Sequence, residues 1–372
     1  MPTPMSAEQS ASRPMVVFVD LGTMLSFDQL AACLHRRGIE VVHVTVADNL
    51  LARVSSRVLY DQSHYFSTPE DLDSILGALP AERVVDVQCP EFLLDDVIHA
   101  AHRAGFPGRV VEALEHRFAW RDKLVVSRAL TEEGLPVPPV EPLLGLSGPQ
   151  LVHDLGLPLV IKQRIGSGGE GVRIVSDVAQ LDGVVDELGG DPEQLYAERF
   201  EPGETLCYAA AYHDGVVTEH AVYRTIQATA AEGPSSTIEV TDDPEVARVG
   251  DLLVRQMKGL GLVNLDLVRD KQGTPQVVDV NLRAWHSIVA LGAAGHHFVE
   301  SYLECLGVDF AQPRRPRPLH GREVHVFPDQ TPRTGARWPA VRRFVGDWAE
   351  QRRVLPAKYV AVQLLLFLRR LL

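Results

Sequence analysis

Residues Gly261–Arg283 read GLVNLDLVRDKQGTPQVVDVNLR. Two runs of alternating apolar residues, Val263–Val268 and Gln276–Leu282, flank a turn at Asp270–Pro275 that contains Gly273, the pattern of a β-hairpin. Side chains alternate across a strand, so Asp266 on the first run and Asp279 and Asn281 on the second are expected on one face. Two carboxylates and an amide oxygen at one spot suit a hard divalent cation such as Mg²⁺, which keeps positions open for water and phosphate oxygens. The same three residues on a solvated sheet face would need no ion. The remainder of the chain decides between the two readings.

A chain of 372 residues exceeds one ordinary core and predicts two or three domains, at about 150 residues each. With 36 basic and 49 acidic residues the formal charge is -13, which argues against nucleic acid or an anionic membrane as the main partner. Cys33, Cys89, Cys207 and Cys305 lie far apart and form no metal-ligand or redox pair, which predicts reduced, buried thiols and a cytoplasmic setting. The first fourteen residues are polar, without an apolar signal core, and read as a disordered tail.

From Met15 the pattern alternates strand and helix: strand Met15–Asp20, helix Phe27–Arg37, strand Val41–Val46, strand Arg83–Val87 and a helix over 91–104. This is a small parallel α/β domain, expected over 15–112. The turn after the first strand, DLGTML, holds one glycine, too few for a dinucleotide site. A long helical pattern over 116–133 carries Asp122 and Lys123 and stops at Gly134.

The strand ending in Lys162 runs into IGSGGEG, with Gly166, Ser167, Gly168, Gly169 and Gly171 between two strands. Glycines let backbone N–H groups approach a polyanion, and Lys162 supplies a point charge for phosphate. No Gly-Lys-Ser/Thr follows, so this is no P-loop. A hairpin that merely needs positive φ would use one or two glycines, whereas four fall within six positions. A strand ending in Glu198 and Arg199 then meets a Pro-Gly turn, with Glu204 opening the next strand. TIQATAAEGPSST, residues 225–237, reads as a loop without a core pattern. From Gln312 to Arg343 the chain carries eight arginines around a strand at 322–327, a basic patch for an anionic partner or its own acidic surface. The last segment, 356–372, is too short an apolar run to span a bilayer; it reads as an amphipathic helix packed on the protein or on a second subunit, which points to a homodimer.

Taken in order, the lysine, the glycine loop, the Glu-to-Glu turn and the D…DxN hairpin make the chain resemble the ATP-grasp superfamily over about residues 110–310. The resemblance implies an ATP-grasp domain over 113–310, built of two α+β subdomains with the glycine loop in the one at about 143–200, and a basic extension over 311–372. It implies ATP and Mg²⁺, with Mn²⁺ as a substitute. By position, Lys123 and Lys162 match the lysines that hold ATP phosphates, and Gly166, Ser167, Gly168, Gly169 and Gly171 the loop that closes over them. Glu198 with the backbone of Arg199 and Phe200 matches the adenine-reading hinge, and Glu204 the ribose contact. Asp266, Asp279 and Asn281 match the metal ligands, and Arg283 the arginine that stabilises the transferring phosphoryl group or acyl phosphate. Asp stands at 266 and 279 where glutamate is usual, which shortens the reach to metal by one methylene. Ala284–Trp285–His286 replaces a smaller, polar run.

The expected activity is ATP-dependent carboxylate–amine ligation. A small-molecule acid becomes an acyl phosphate, an amine displaces phosphate, and ADP is released. The acid is expected near Arg283 and Arg224, with Trp285 and His286 shaping the acceptor side. Two alternatives stand beside it: a carboxylase-like enzyme that activates bicarbonate, and a non-catalytic nucleotide-binding subunit.

Overall fold

The structure is a computed structural model that describes residues 13–22, 24–46, 50–166, 168–228, 235–310, 318–326, 346, 348–349, 354–361 and 363. The tail before residue 13, Ser167, most of the arginine-rich stretch and the last nine residues of the predicted terminal helix lie outside them.

The first part is a parallel sheet in the order β3-β2-β1-β4, formed by Met15–Val19 (β1), Glu40–Val46 (β2), Gln62–Phe66 (β3) and Val84–Gln88 (β4). MVVFV is buried along its whole length, as a central strand covered on both faces requires. Helices Leu25–His35 (α1), Leu50–Leu59 (α2), Pro69–Gly77 (α3), Leu94–Arg103 (α4) and Gly108–Ala119 (α5) accompany it. The α2-β3-α3 stretch has no counterpart in the sequence reading. One sheet face packs Met15, Val17 and Val19 against Leu76, Val97 and Leu114.

The predicted helix over 116–133 is two helices. It breaks at Trp120–Asp122, and Lys123–Glu132 (α6) begins afresh because Asp122 caps it, accepting from the N–H groups of Leu124 at 3.1 Å and Val125 at 3.2 Å. Lys123 is thereby fixed at the first helical position. A small antiparallel sheet follows, order β5-β8-β6-β7, from Val140–Pro142 (β5), Leu159–Gln163 (β6), Val172–Val175 (β7) and Leu195–Arg199 (β8). Helices Gly148–Leu155 (α7) and Leu181–Glu187 (α8) cover one face of it.

The largest sheet is antiparallel, order β13-β12-β9-β10-β11-β14, from Thr205–His213 (β9), Val216–Ala228 (β10), Ser235–Thr241 (β11), Leu260–Arg269 (β12), Pro275–Asn281 (β13) and Glu323–His325 (β14). The described residues of the loop expected over 225–237 are strand, with 229–234 outside them: β10 runs on to Ala228 and β11 starts at Ser235, and the Thr225 and Ser235 hydroxyls are 2.7 Å apart. Thr and Ser satisfy each other there, so a pleated pair forms without the apolar alternation the sequence was searched for. Helix Pro244–Met257 (α9) covers one face, and Gly250 allows it: a Cβ there would meet the Tyr208 ring at 2.3 Å. Ile288–Ala293 (α10) and Phe298–Cys305 (α11) lie on the other.

That second face shares one core with α1 and β1, joining Phe18 and Phe27 to Trp285, Phe298 and Tyr302. Leu355, Tyr359 and Val360 are buried in the same core, and β14 pairs with β11, so the described part of the C-terminal stretch is built into the body of the protein. All four cysteines are free and buried. Among the described residues no helix is long and apolar enough to cross a membrane.

Inside this shared region Tyr60 donates to Asp28 at 2.9 Å. Burial pushes the Asp28 carboxyl from 3.8 up to about 7, the Asp20 charge adding to it and the His43 charge and the Tyr60 bond opposing. Ionised Asp28 thus costs stability above about pH 7, and the cost is relieved as pH falls through 7 towards 3.8, where the unfolded chain takes up its proton too. Asp28→Asn keeps an acceptor for Tyr60 and removes the charge. Its Tm, measured relative to wild type by differential scanning calorimetry, is expected to be more favourable at pH 8 than at pH 5; an offset independent of pH would refute the assignment.

Candidate active site between the sheets

The hairpin brings its acidic residues together. Asp266 lies directly opposite Asp279 in the β12–β13 ladder, and Asn264 opposite Asn281. Asn281 Nδ2 is 3.4 Å from a carboxylate oxygen of each aspartate. Asp266 Oδ1 accepts from Asn264 Nδ2 at 3.1 Å and from Cys207 Sγ at 3.3 Å. Behind them Tyr223 donates to Asn264 Oδ1 at 2.6 Å and Ser287 to the Tyr223 hydroxyl at 3.0 Å. Asn264 was missed in the sequence, although N-L-D on one strand mirrors D-V-N on its partner.

Two lysines reach the hairpin from other elements. Lys123 Nζ, at the start of α6, donates to Asp279 Oδ2 at 2.8 Å. Lys162, on β6, crosses between sheets: its Nζ donates to Glu198 Oε1 at 2.6 Å and to the Val278 carbonyl on β13 at 3.0 Å. The backbone ties the lysines together, because Lys123 N–H donates to the Arg164 carbonyl at 2.9 Å and Arg164 pairs with the cap Asp122 at 2.5 Å. Arg283, buried at the end of the hairpin, donates from its NH2 to Asn281 Oδ1 at 3.1 Å. Its Nε donates to Glu91 Oε1 at 2.9 Å. Glu91 follows β4 and was not singled out in the sequence; the rule that ligands gather at the carboxyl ends of parallel strands is the signal that points to it.

The electrostatics follow from this packing. Burial, and then the facing Asp279 charge, raise the Asp266 carboxyl to about 6. Asp279 goes the other way: burial would raise it, but the Lys123 ammonium more than offsets this and holds it below the usual range. Burial opposes the charge on Lys123 as well, and Asp279 again prevails, keeping the ammonium above its ordinary value. Glu198 is raised by burial in spite of Lys162. His286, pushed down to about 4 by burial, is neutral near pH 7.

The donor set fits a divalent cation. Asp266 and Asp279 face each other in register, and the gap between them already takes the Asn281 amide N–H₂ and, on Asp279, an ammonium. For its oxygen to face an ion the amide would turn about its axis and give up the bond it now accepts from Arg283 NH2. Among the described residues no three His, Cys, Asp or Glu cluster as a metal cage, so an ion here would draw its other ligands from water or phosphate, the habit of Mg²⁺. Glu198 Oε2 and the hydroxyl of Tyr196, which pairs with Lys162 across the ladder, are buried with no hydrogen-bond partner among the described residues, two polar atoms that a nucleotide could engage.

Other expected residues lie elsewhere or are engaged differently. Tyr223, Cys207, Asp266 and Asp279 share a row across four strands, and Arg224 is the next residue along β10, so the pleat turns it to the opposite face. There it pairs with Glu204 at 3.1 Å and Glu239 at 2.8 Å. Arg224 and Glu204 thus form a surface ion-pair cluster away from the aspartates. The Arg199 N–H is committed to the Pro139 carbonyl at 3.0 Å, which removes it as a free hinge donor, while Phe200 begins the linker to β9. Trp285 is a core residue, edge-on to Phe298 with centroids 5.1 Å apart, and does not line an open acceptor side. In the glycine loop, Gly168 and Gly169 have φ of +74° and +77°, and a Cβ at Gly171 would meet Gln163 at 2.4 Å; a turn and a close approach account for three of the four glycines.

The ATP-grasp domain family matches residues 120–287. Comparison with curated proteins finds no match. Among solved structures the chain is similar to carboxyaminoimidazole ribonucleotide synthase of Aspergillus clavatus complexed with ATP, at 16% identity and TM-score 0.63, covering 84% of this chain and 80% of that one. It is similar to an L-amino acid ligase from Bacillus licheniformis, at 17% identity and TM-score 0.59, over 83% of this chain and 75% of that one. A third is the biotin carboxylase domain of Hydrogenobacter thermophilus 2-oxoglutarate carboxylase, in complex with MgADP, ADP and bicarbonate, at 14% identity and TM-score 0.61, over 81% and 71% of the two chains. At these identities the likeness is one of fold. The family match assigns residues 120–287, the stretch that holds Lys123, Lys162 and the DxN hairpin, to the ATP-grasp domain family, and the solved structures share the fold of the chain around it.

Proposed function

We propose that this protein is an ATP-dependent ligase that activates a small-molecule carboxylate as an acyl phosphate and couples it to an amine, releasing ADP and phosphate. One observation carries the reading: Lys123, Lys162 and Arg283, from three separate elements, converge on the hairpin, each resting on a carboxylate. Such a set is a row of exchangeable counter-ions. A polyphosphate entering with its cation can take over the lysines, while the cation takes over the aspartates.

In this reading Asp266, Asp279 and Asn281 would hold Mg²⁺, which when bound would neutralise charge on the phosphate oxygens. The chain's own residues do the rest. Lys162 and Lys123 bind phosphate oxygens from either side of the cleft, and Glu198 and Tyr196 offer polar atoms to the base or sugar. Arg283 steadies the developing charge at the transferred group. The loop over 166–171 excludes water, so that the acyl phosphate meets the amine before it is hydrolysed.

The bicarbonate reading has one specific support, the shared fold with a biotin carboxylase domain whose structure contains bicarbonate. It uses the same site and differs in the acid activated. Loss of the ion-pairing groups, which a non-catalytic subunit would tolerate, is not seen at Lys123, Lys162, Asp279 or Arg283.

Phosphate release from Mg-ATP, followed against a panel of acids and amines with bicarbonate as a separate acid, tests the reading. Release is expected to require both an acid and an amine and to fall at least about a hundredfold in Asp279→Asn and in Lys162→Met, with folding checked by circular dichroism. Release driven by bicarbonate alone would move the assignment to the carboxylase type, and a wild-type protein that fails to bind Mg-ATP in calorimetry would refute both.

Gly169 at φ +77° holds a conformation that costs an L side chain about 1–2 kcal/mol. Gly169→Ala should therefore impair loop closure, lowering kcat several-fold with little change in the Kd for Mg-ATP. An equal loss in both would mean that the loop only binds.

A further inference from the structure

Glu91 reaches the site from the edge of the parallel sheet, 192 positions away from the arginine it touches. Its two oxygens are used unequally. Oε1 accepts from Arg283 Nε at 2.9 Å, while Oε2 is buried and has no hydrogen-bond partner among the described residues. Arg283 has other anchors, since its NH1 donates to the Ala284 carbonyl at 3.2 Å and its NH2 to Asn281 Oδ1 at 3.1 Å. A buried carboxylate oxygen without a donor is costly, and a carboxylate needed only as a counter-ion would turn both oxygens to the guanidinium. The free oxygen therefore calls for a donor that arrives with a ligand. Its position limits which ligand: the Glu91 charge also acts on Lys123, so the carboxylate stands beside the Arg283 and Lys123 end of the cleft.

We propose that Glu91 is the amine-binding residue: its Oε2 receives the amine substrate as an ammonium ion and takes one of its protons, so that the nitrogen attacks as a free base. This rests on the ligase reading, in which Arg283 steadies the acyl phosphate. One ammonium proton passes to Oε2. The nitrogen lone pair forms the C–N bond at the acyl carbon, and the bond from that carbon to the phosphate oxygen breaks with its electron pair. The amide keeps one proton and the third leaves with phosphate, so charge and atoms balance. The Asp279, Lys123 and Lys162 groups are left to the phosphates, which separates the two halves of the reaction in space. Glu91 also makes the N-terminal sheet part of the acceptor site.

Hydroxylamine tests the step, because it is unprotonated near neutral pH and captures an acyl phosphate as a hydroxamate without needing a base. Wild type and Glu91→Gln, which keeps the side chain's shape and an acceptor for Arg283, are each given Mg-ATP and the proteinogenic amino acids one at a time as acid. Hydroxamate is measured with hydroxylamine, and amide is measured with the same amino acids as amine. The expected result is amide formation lowered about a hundredfold, the share of a general base, with hydroxamate formation lowered at least about tenfold less than that. An equal fall in both would show that Glu91 serves Arg283 or the fold alone. Unchanged amide formation would overturn the proposal directly. If wild type yields no hydroxamate with any of these acids or with acetate, the ligase reading itself fails and takes this inference with it.

Discussion

Two carboxylates set opposite each other across a β-ladder repel, and the middle of this protein is arranged around keeping Asp266 and Asp279 in that position. At close range, and away from bulk water, such repulsion would push the strands apart or force a proton onto one carboxylate. The second tendency is visible in Asp266, raised to about 6, while Asp279 keeps its charge through Lys123. Asn264, Asn281 and Cys207 supply the hydrogen bonds that hold the remaining lone pairs. The lysine helix, the glycine-loop sheet and the arginine then fall into place as the cationic surroundings of that pair.

A second constraint holds the N-terminal sheet against this centre. Asp86 and Arg117, both buried, form an ion pair at 2.5 Å, and Asp86 is shared with the Tyr302 hydroxyl and the Gln88 amide at 2.7 Å. Gln88 in turn accepts from the Ala284 N–H at 3.3 Å, directly after Arg283. Removing one partner of such a buried pair typically costs about 3–5 kcal/mol, so the network resists any change that leaves Asp86 or Arg117 unpaired. Gln88 and Glu91 leave the same strand end, one fixing Ala284 and the other Arg283. One contact of the arginine thus comes from a residue 192 positions away in sequence.

The hairpin was legible because its information is local: alternation, a glycine turn and the D-x-N spacing all fall within twenty-odd residues. The lysines were legible only as members of an ordered series, since a lysine at the start of a helix or inside a strand carries no sign of what it will face. Arg224 shows the limit. One place along β10 turns it from the aspartate row to the surface, and strand phase is set by pairing with β9 and β11, which no short motif records. The strands hidden in 225–237 were missed for a related reason, because hydroxyl pairing replaced the apolar pattern.

The sequence by itself determined the α/β character of the first part, the hairpin with its acids, and the series of motifs that resembles the ATP-grasp superfamily. Those features arise from periodicity and turn chemistry, which act over a few residues. Only the tertiary structure decided which counter-ion each cation rests on, that Glu198 meets Lys162 and that Glu91 meets Arg283. It also decided that the C-terminal stretch enters the shared core through β14, Leu355 and Tyr359. Those outcomes depend on sheets brought together by burial of apolar faces, a force without direction along the chain, so the charges it juxtaposes are unrelated in sequence position.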